Sequence, residues 1–286
     1  MSAQRGLTVG RMVELGGVSR ASFYRFEATG SDKPIDRDMD LRDAIQRIAL
    51  KWPSYGRPRI TAELKRQGWR VGANRVRRLM RDDNLLCVRK RKFAVTTDSN
   101  HGRKVYPNLA GEMDLSGMNQ LWVADITYIR LEREFVYLAV VLDAFSRRVI
   151  GWALDRSLED DLPLTALRIA FEQRQPACGL VHHSDRGSQY ASHDYTDLLQ
   201  AHGCRISMSH KASPWENGGC ESWVKTLKYE ELFRQEYRDL AEARSCLQRF
   251  IDKVYNQQRL HSALGYRPPA EFEQAWLAQR HAGAIE

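Results

Sequence analysis

The chain has 286 residues, 43% of them hydrophobic and 28% charged, which excludes wholesale disorder and a fibrous repeat and implies at least two folded units. Its formal charge is +8, unevenly placed: residues 1–118 carry 24 Lys and Arg against 13 Asp and Glu, and residues 119–286 carry 20 against 23. The longest uncharged apolar run, Phe135 to Leu142, is far short of the roughly 20 residues that cross a bilayer, and the N-terminus lacks the apolar core of a signal peptide. A cytoplasmic, nucleoid-associated chain with no membrane partner is the expectation. The cysteines at 87, 178, 204, 220 and 246 form no CxxC pair, so neither a disulfide framework nor a zinc ribbon is expected.

Thr8 to Phe26 reads as helix, turn, helix, with Val9, Met12, Val13 and Leu15 on an apolar face, a break at Gly16-Gly17, and Ser19 placed to cap the second helix. After a polar stretch at 31–37, a second helical block follows. Leu41, Ile45, Ile48 and Ala49 mark one helix; Ile60 to Gln67 opens after Pro58 and stops at Gly68; Ala73 to Asp83 sets Val76, Leu79 and Met80 apart from Arg75, Arg77, Arg78 and Arg81. Between Arg42 and Lys92, 16 basic residues face four acidic ones, ending in Arg89-Lys90-Arg91-Lys92. Such a segment gains by neutralising phosphates, which releases counterions and relieves self-repulsion, although a solvated helical face has the same composition. Residues 88–118 lack periodicity and read as a linker ordered only in a complex.

From Asn119 the pattern becomes strands at 121–131, 135–142 and 147–154, an antiparallel meander, then a helix at 162–172, a strand at 180–183, a helix at 193–201, a strand at 205–208, and helices from about Trp215. The order predicts a mixed sheet flanked by helices.

Three carboxylates stand out. Asp125 lies in a strand apolar on both faces, where an aspartate is disfavoured and its burial demands a partner; a buried ion pair or strand-end cap is the bland account. Asp185 follows a short apolar strand and precedes Arg186-Gly187, a position that lines clefts but equally forms turns. Glu221 lies where a loop enters a helix, and helical spacing places Asn217, Glu221, Lys225 and Lys228 on one stripe, which an exposed ion-pair ladder would also produce. His182 and His183 are possible ligands or bases, but in a strand they point to opposite sides. Two Asp on strands and a Glu on a later helix can converge at one sheet edge. Carboxylates so placed repel unless hard cations lie between them, which suits Mg²⁺ or Mn²⁺ and two-metal phosphoryl transfer.

With these motifs the chain resembles the DDE transposases of bacterial insertion sequences, the integrase-like kind encoded by the second reading frame. Tyr55-Gly-Arg-Pro-Arg-Ile-Thr61 and Arg75-Val-Arg-Arg-Leu-Met80 resemble the family's helix-turn-helix block, and Trp122 to Ile129 its first catalytic strand. His183 to Tyr190 and Glu221 to Lys228 resemble the second and third catalytic motifs, and Asn256 to Pro269 the closing signature. The resemblance implies an α/β catalytic domain of ribonuclease H-like (integrase core) fold, preceded by all-α helix-turn-helix segments. Boundaries are expected at 1–30 (helix-turn-helix-like), 38–92 (basic, DNA-binding), 93–118 (linker), 119–240 (core) and 241–286 (helical tail). In this reading Asp125, Asp185 and Glu221 are catalytic and hold two Mg²⁺ or Mn²⁺ ions. Lys225 and Lys228 lie near the element's end, and Arg57, Arg59, Arg75, Arg77, Arg78 and Arg81 bind DNA. Partners would be double-stranded DNA, as terminal inverted repeats and target, further copies of the chain on that DNA, and the upstream-frame product as a frameshift fusion. Asp143 is outside the family's set and reads as a turn residue, Arg259 and His261 as a helix end or DNA contacts. A nuclease without strand transfer and a catalytically silent DNA-binding regulator are the rival readings.

Overall fold

The computed structural model describes residues 8–23, 38–85, 104–111, 113–210 and 213–283. The expected polar stretch at 31–37, the Arg89–Lys92 cluster and the first part of the expected linker lie outside the described residues.

The first helix, α1 (Val9–Gly16), stops at Gly17, whose φ of 59° is the left-handed conformation that glycine adopts without strain. The Ser19 hydroxyl accepts from the Ser22 N–H at 3.1 Å and so caps the helical turn that begins at Arg20. Three helices follow: α2 (Met39–Lys51), α3 (Arg57–Arg66) with Pro58 in its first turn, and α4 (Ala73–Asp82). Their apolar stripes meet in one core that includes Ile45, Ile48, Ile60, Leu64, Val76, Leu79 and Met80. Asp38, just before α2, receives Arg75 and Arg78 of α4 and ties the first helix of this block to the last.

Strands β1 (Leu121–Arg130), β2 (Phe135–Asp143), β3 (Val149–Asp155), β4 (Val181–Ser184) and β5 (Arg205–Met208) form one sheet of order β3-β2-β1-β4-β5. The meander β1-β2-β3 is antiparallel, whereas β4 and β5 join parallel to β1. Parallel neighbours need crossovers, supplied by α5 (Asp161–Arg174) and α6 (His193–Ala201). Strand β1 is central and loses both faces to packing. Trp122 and Ala124 face α5 and α6, and Leu121 and Val123 face α7 (Gly218–Leu227) and α8 (Leu240–Gln248). Gly151 of β3 lies so close to α5 that a Cβ there would come within 2.2 Å of the Ala166 carbonyl oxygen.

Packing crosses the expected boundary at 240: Ala243, Leu247, Phe250, Ile251 and Tyr255 belong to the α7-side core. Leu109, Ala110, Met113 and Leu115 pack on that core as well, and the Leu109 N–H donates to Ser207 Oγ at 2.8 Å, so this part of the expected linker is bound. The last helix, α9 (Pro269–Gly283), is held by Glu273, 3% exposed, which accepts from Arg148 at 2.7 Å and Arg174 at 2.5 Å. Phe272 and Trp276 pack their rings against Phe145.

Candidate active site

Register brings the two aspartates together. Leu121 pairs with Val181 and Val123 with His183 in parallel β1 and β4. Asp125 on β1 and Asp185, one residue past the end of β4, each lie two residues beyond Val123 and His183, so the register carries them to the same level where neighbouring strands lie about 4.8 Å apart. Alternation then fixes the face: Leu121, Val123 and Val181 lie in the α7-side core, and Asp125 and Asp185 share their parity. Helix α7 crosses that face with Glu221 in its first turn. Buried Cys220, Trp223 and Leu227 seat the helix, and Asn217 Nδ2 donates to the Ala124 carbonyl at 2.9 Å beside Asp125.

The electrostatics are those of crowded anions. Burial, and then the Asp185 charge, push the Asp125 carboxyl up to about 7, and Glu221 adds to the rise. The Ile126 N–H, 2.9 Å from Asp125 Oδ1, and Lys228 act in the opposite direction. Asp185 Oδ1 accepts from the Gly187 N–H at 2.9 Å, and a Cβ on Gly187 would stand 3.0 Å from that oxygen, so the turn after β4 fits best without a side chain. Arg186 donates to the Ser209 carbonyl at 2.7 Å and secures the same turn. Glu221 pairs with Lys225 at 2.7 Å. Among the described residues no three His, Cys, Asp or Glu side chains form a ready-made metal cage.

The predicted stripe on α7 is interrupted at both ends. Asn217 ends a short 3₁₀ turn and is buried against β1, and from Lys228 to Leu232 the helix loosens to π geometry. Lys228 lies with its Nζ 5.2 Å from the centre of the Tyr128 ring, still close enough to act on Asp125. The histidine pair does divide between faces: His182 Nε2 meets the Tyr195 hydroxyl at 3.0 Å, and His183 Nδ1 meets Ser207 Oγ at 2.8 Å. Burial pushes them down to about 3 and about 4, so both are neutral structural groups. Asp143, wholly buried, accepts from the Asn119 and Ser146 N–H groups at 2.7 and 2.8 Å, the expected turn role.

Two further residues bear on the site. The Tyr190 hydroxyl is buried without a hydrogen-bond partner among the described residues, within the field of Asp125 and Asp185; its sequence signal is its place at the end of the Asp185 motif. Glu216 accepts from the His210 and Asn108 side chains at 2.9 Å each and from the His210 N–H at 2.7 Å, fastening the loop before α7.

The arginines of the helical block differ in placement. Arg77 and Arg81 are exposed on α4, Arg57 is half-buried, and Arg75 and Arg78 bind Asp38 while keeping much of their surface open. Arg59 does not lie on an open face. Its Nε donates to the Leu260 carbonyl at 3.1 Å and its guanidinium lies 5.5 Å from the Tyr55 ring centre, because its position on α3 faces the C-terminal segment.

Residues 116–214 and 202–269 match the integrase core domain family, and residues 36–93 match a helix-turn-helix-like domain family. Fold and site thus define an integrase-type, ribonuclease H-like core behind a helix-turn-helix domain. The chain is 36% identical over 268 residues to the uncharacterized 31 kDa protein of insertion element IS600 from Shigella sonnei, covering 93% of this chain and 98% of that one. It is 37% identical over 226 residues to transposase InsF for insertion sequence IS3A of Escherichia coli strain K12, 78% of each chain. The chain belongs to the IS3 family of insertion-sequence transposases. A solved structure, the HTLV-2 integrase catalytic core domain in complex with magnesium, is similar at a TM-score of 0.41 and 16% identity, covering 55% of this chain and 97% of that one.

Proposed function

We propose that this chain cleaves DNA strands at the ends of its insertion sequence and transfers them to target DNA, by divalent-metal-dependent phosphoryl transfer. The observation that carries the proposal is the level placement of Asp125 on β1 and Asp185 at the exit of β4, under a helix that brings in Glu221, with the Asp125 carboxyl pushed up to about 7. Three oxygen donors whose charges oppose one another fit hard cations, and Asp125, Asp185 and Glu221 would hold two Mg²⁺ or Mn²⁺ ions. Bound there, the ions supply activation of the attacking hydroxyl and stabilisation of the leaving oxygen in an in-line displacement.

The chain's own groups orient and bind. The Ile126 and Gly187 N–H groups fix one oxygen each of Asp125 and Asp185. Lys225 and Lys228 offer cations to the phosphates of the DNA end, and Arg57, Arg75, Arg77, Arg78 and Arg81 offer them to duplex DNA further away. The partners in this reading are terminal inverted repeats and target duplex. The acting form is a homo-oligomer on DNA, built from this chain alone or from its frameshift fusion with the upstream-frame product.

The test is a labelled inverted-repeat end with Mg²⁺, scored for nicking and for joining to a second duplex. Asp125→Asn, Asp185→Asn and Glu221→Gln should each lower both products by about a hundredfold or more while DNA binding stays within about threefold. Near-normal transfer by any one variant removes that residue from the site. Nicking without joining would mean a nuclease, and binding without either a silent regulator.

A further inference from the structure

The closing segment Asn256 to Pro269 joins the two ends of the chain. Asn256 accepts from the Val149 N–H and donates to the Val149 carbonyl, both at 3.0 Å, which anchors the segment on β3. Arg259, 3% exposed, forms a two-pronged pair with Glu230 at 2.8 and 2.9 Å. Glu230 lies in the π turn 228–232 that continues α7, the helix of Glu221. The next residue, Leu260, belongs to the helix-turn-helix domain in everything but sequence. Its N–H donates to the Tyr55 hydroxyl at 2.8 Å, its carbonyl accepts from Arg59 at 3.1 Å, and its side chain, 1% exposed, completes the core of α2, α3 and α4. Buried backbone groups need partners, and here both come from residues about 200 positions away. Arg66 of α3 forks onto Glu271 of α9 at 2.9 and 2.6 Å, and Arg234 reaches Ser54 at 2.9 Å.

We infer that Leu260, held by Tyr55 and Arg59, is a positioning residue for strand cleavage, clamping the DNA-reading helices at one distance and angle from Asp125, Asp185 and Glu221. The inference rests on the transposase reading above. The clamp is short. From Glu221 the path runs along α7 to Glu230, across to Arg259, and through one peptide bond to Leu260. A duplex read by α4 then arrives at the carboxylates in a fixed register, and misplacement by about 1 Å can cost on the order of a hundredfold in rate.

The test uses the full chain on its inverted-repeat end in Mg²⁺, with cuts mapped to the nucleotide and hydrogen exchange followed at residues 256–266. Leu260→Ala, and separately Glu271→Arg, should speed that exchange about tenfold or more and leave end binding within about threefold. Cutting at the proper phosphodiester should fall by about tenfold or more and spread to neighbouring bonds. Leu260→Met, and the swap of Arg66→Glu with Glu271→Arg, should restore sharp cutting. If Leu260→Ala fails to fold, the charge-swap pair decides. Faster exchange with sharp, full-rate cutting overturns the positioning role, and unchanged exchange in the altered chains overturns the clamp. A parent chain that binds its end and cuts nowhere overturns the transposase reading and the positioning role with it, and the exchange result tells that outcome from failure of the clamp.

Discussion

Lys225 sits 2.7 Å from Glu221 and Lys228 over the Tyr128 ring, so the roles of single lysines can be separated from their contribution to the fold. An exposed pair such as Lys225 with Glu221 is worth about 0–1 kcal/mol. Lys225→Ala and Lys228→Ala should therefore keep the thermal midpoint within about a few degrees and still reduce end cleavage. Early melting with normal activity per folded molecule would make the lysines structural. Burial and, for His261, the nearby Arg259 and Arg59 push His182 down to about 3 and His261 down to about 2. These folded values lie below the unfolded value of about 6.5, so the unfolded chain binds more protons once the pH drops beneath about 6.5. Stability, complete above about pH 6.5, is lost as the pH falls toward the folded values, by about 1.4 kcal/mol per unit for each histidine once the unfolded group is charged. Thermal midpoints measured from about pH 7 to about 4.5 should fall less steeply in His261→Asn; an identical slope would show that its protonation is not linked to unfolding. The Tyr190 hydroxyl, buried with no hydrogen-bond partner among the described residues, predicts a third outcome. Tyr190→Phe should melt at or above the parent temperature, since an orphaned polar group costs about 1–3 kcal/mol, and a clear drop in the midpoint would reveal a hidden partner.

At the level of elements, the periodicity of the sequence placed α6 at 193–201 and β5 at 205–208 as the structure has them. It placed the meander and α5 within a few residues, because alternation and helical stripes there record one face of burial each. The π segments at 228–232 and 249–255 were not legible. They are local adjustments of a helix to its neighbours, Glu230 to Arg259 in the first and Phe250, Ile251 and Tyr255 to the core in the second. Nor could spacing show that Gly151 marks the closest approach of β3 to α5. A methyl group on Gly151 would stand 2.2 Å from the Ala166 oxygen and 2.9 Å from the Ala170 nitrogen, so one added carbon must push strand and helix apart. Overpacking of this kind costs about 1–3 kcal/mol or more, so Gly151→Ala should lower the thermal midpoint by several degrees, and an unchanged midpoint would mean that the pair can separate freely.

Over the whole molecule, charge is unevenly divided: net +11 in residues 1–118, from 24 Lys and Arg less 13 Asp and Glu, and net −3 in residues 119–286, from 20 less 23. Affinity for DNA should therefore fall steeply with salt in the full chain, and residues 119–286 alone should bind far more weakly, since the slope follows the number of phosphates neutralised. Equal binding by the two would place the DNA-holding surface on the core. The converse fragment is affected by the clamp. A chain ending near Lys92 keeps the basic residues but lacks Leu260 and Tyr266, which pack on its core, so its thermal midpoint should lie below that of the same domain in the full chain.

Sequence alone singled out Asp125, Asp185 and Glu221 as candidate carboxylates, placed them on a strand, at a strand's exit and on a helix, and showed the basic character of the first half. Those are properties of residue type and short-range spacing, and a charged residue in an apolar strand is conspicuous wherever it occurs. Only the tertiary structure decided that Asp125 and Asp185 stand level, which depends on parallel register between β1 and β4, strands with β2, β3 and α5 between them in the chain. It alone showed that Arg59 donates to the Leu260 carbonyl and that residues as far as Tyr255 pack in the α7-side core. Those outcomes are contacts between residues far apart in the chain, and hydrophobic periodicity states that a face is covered without stating by what.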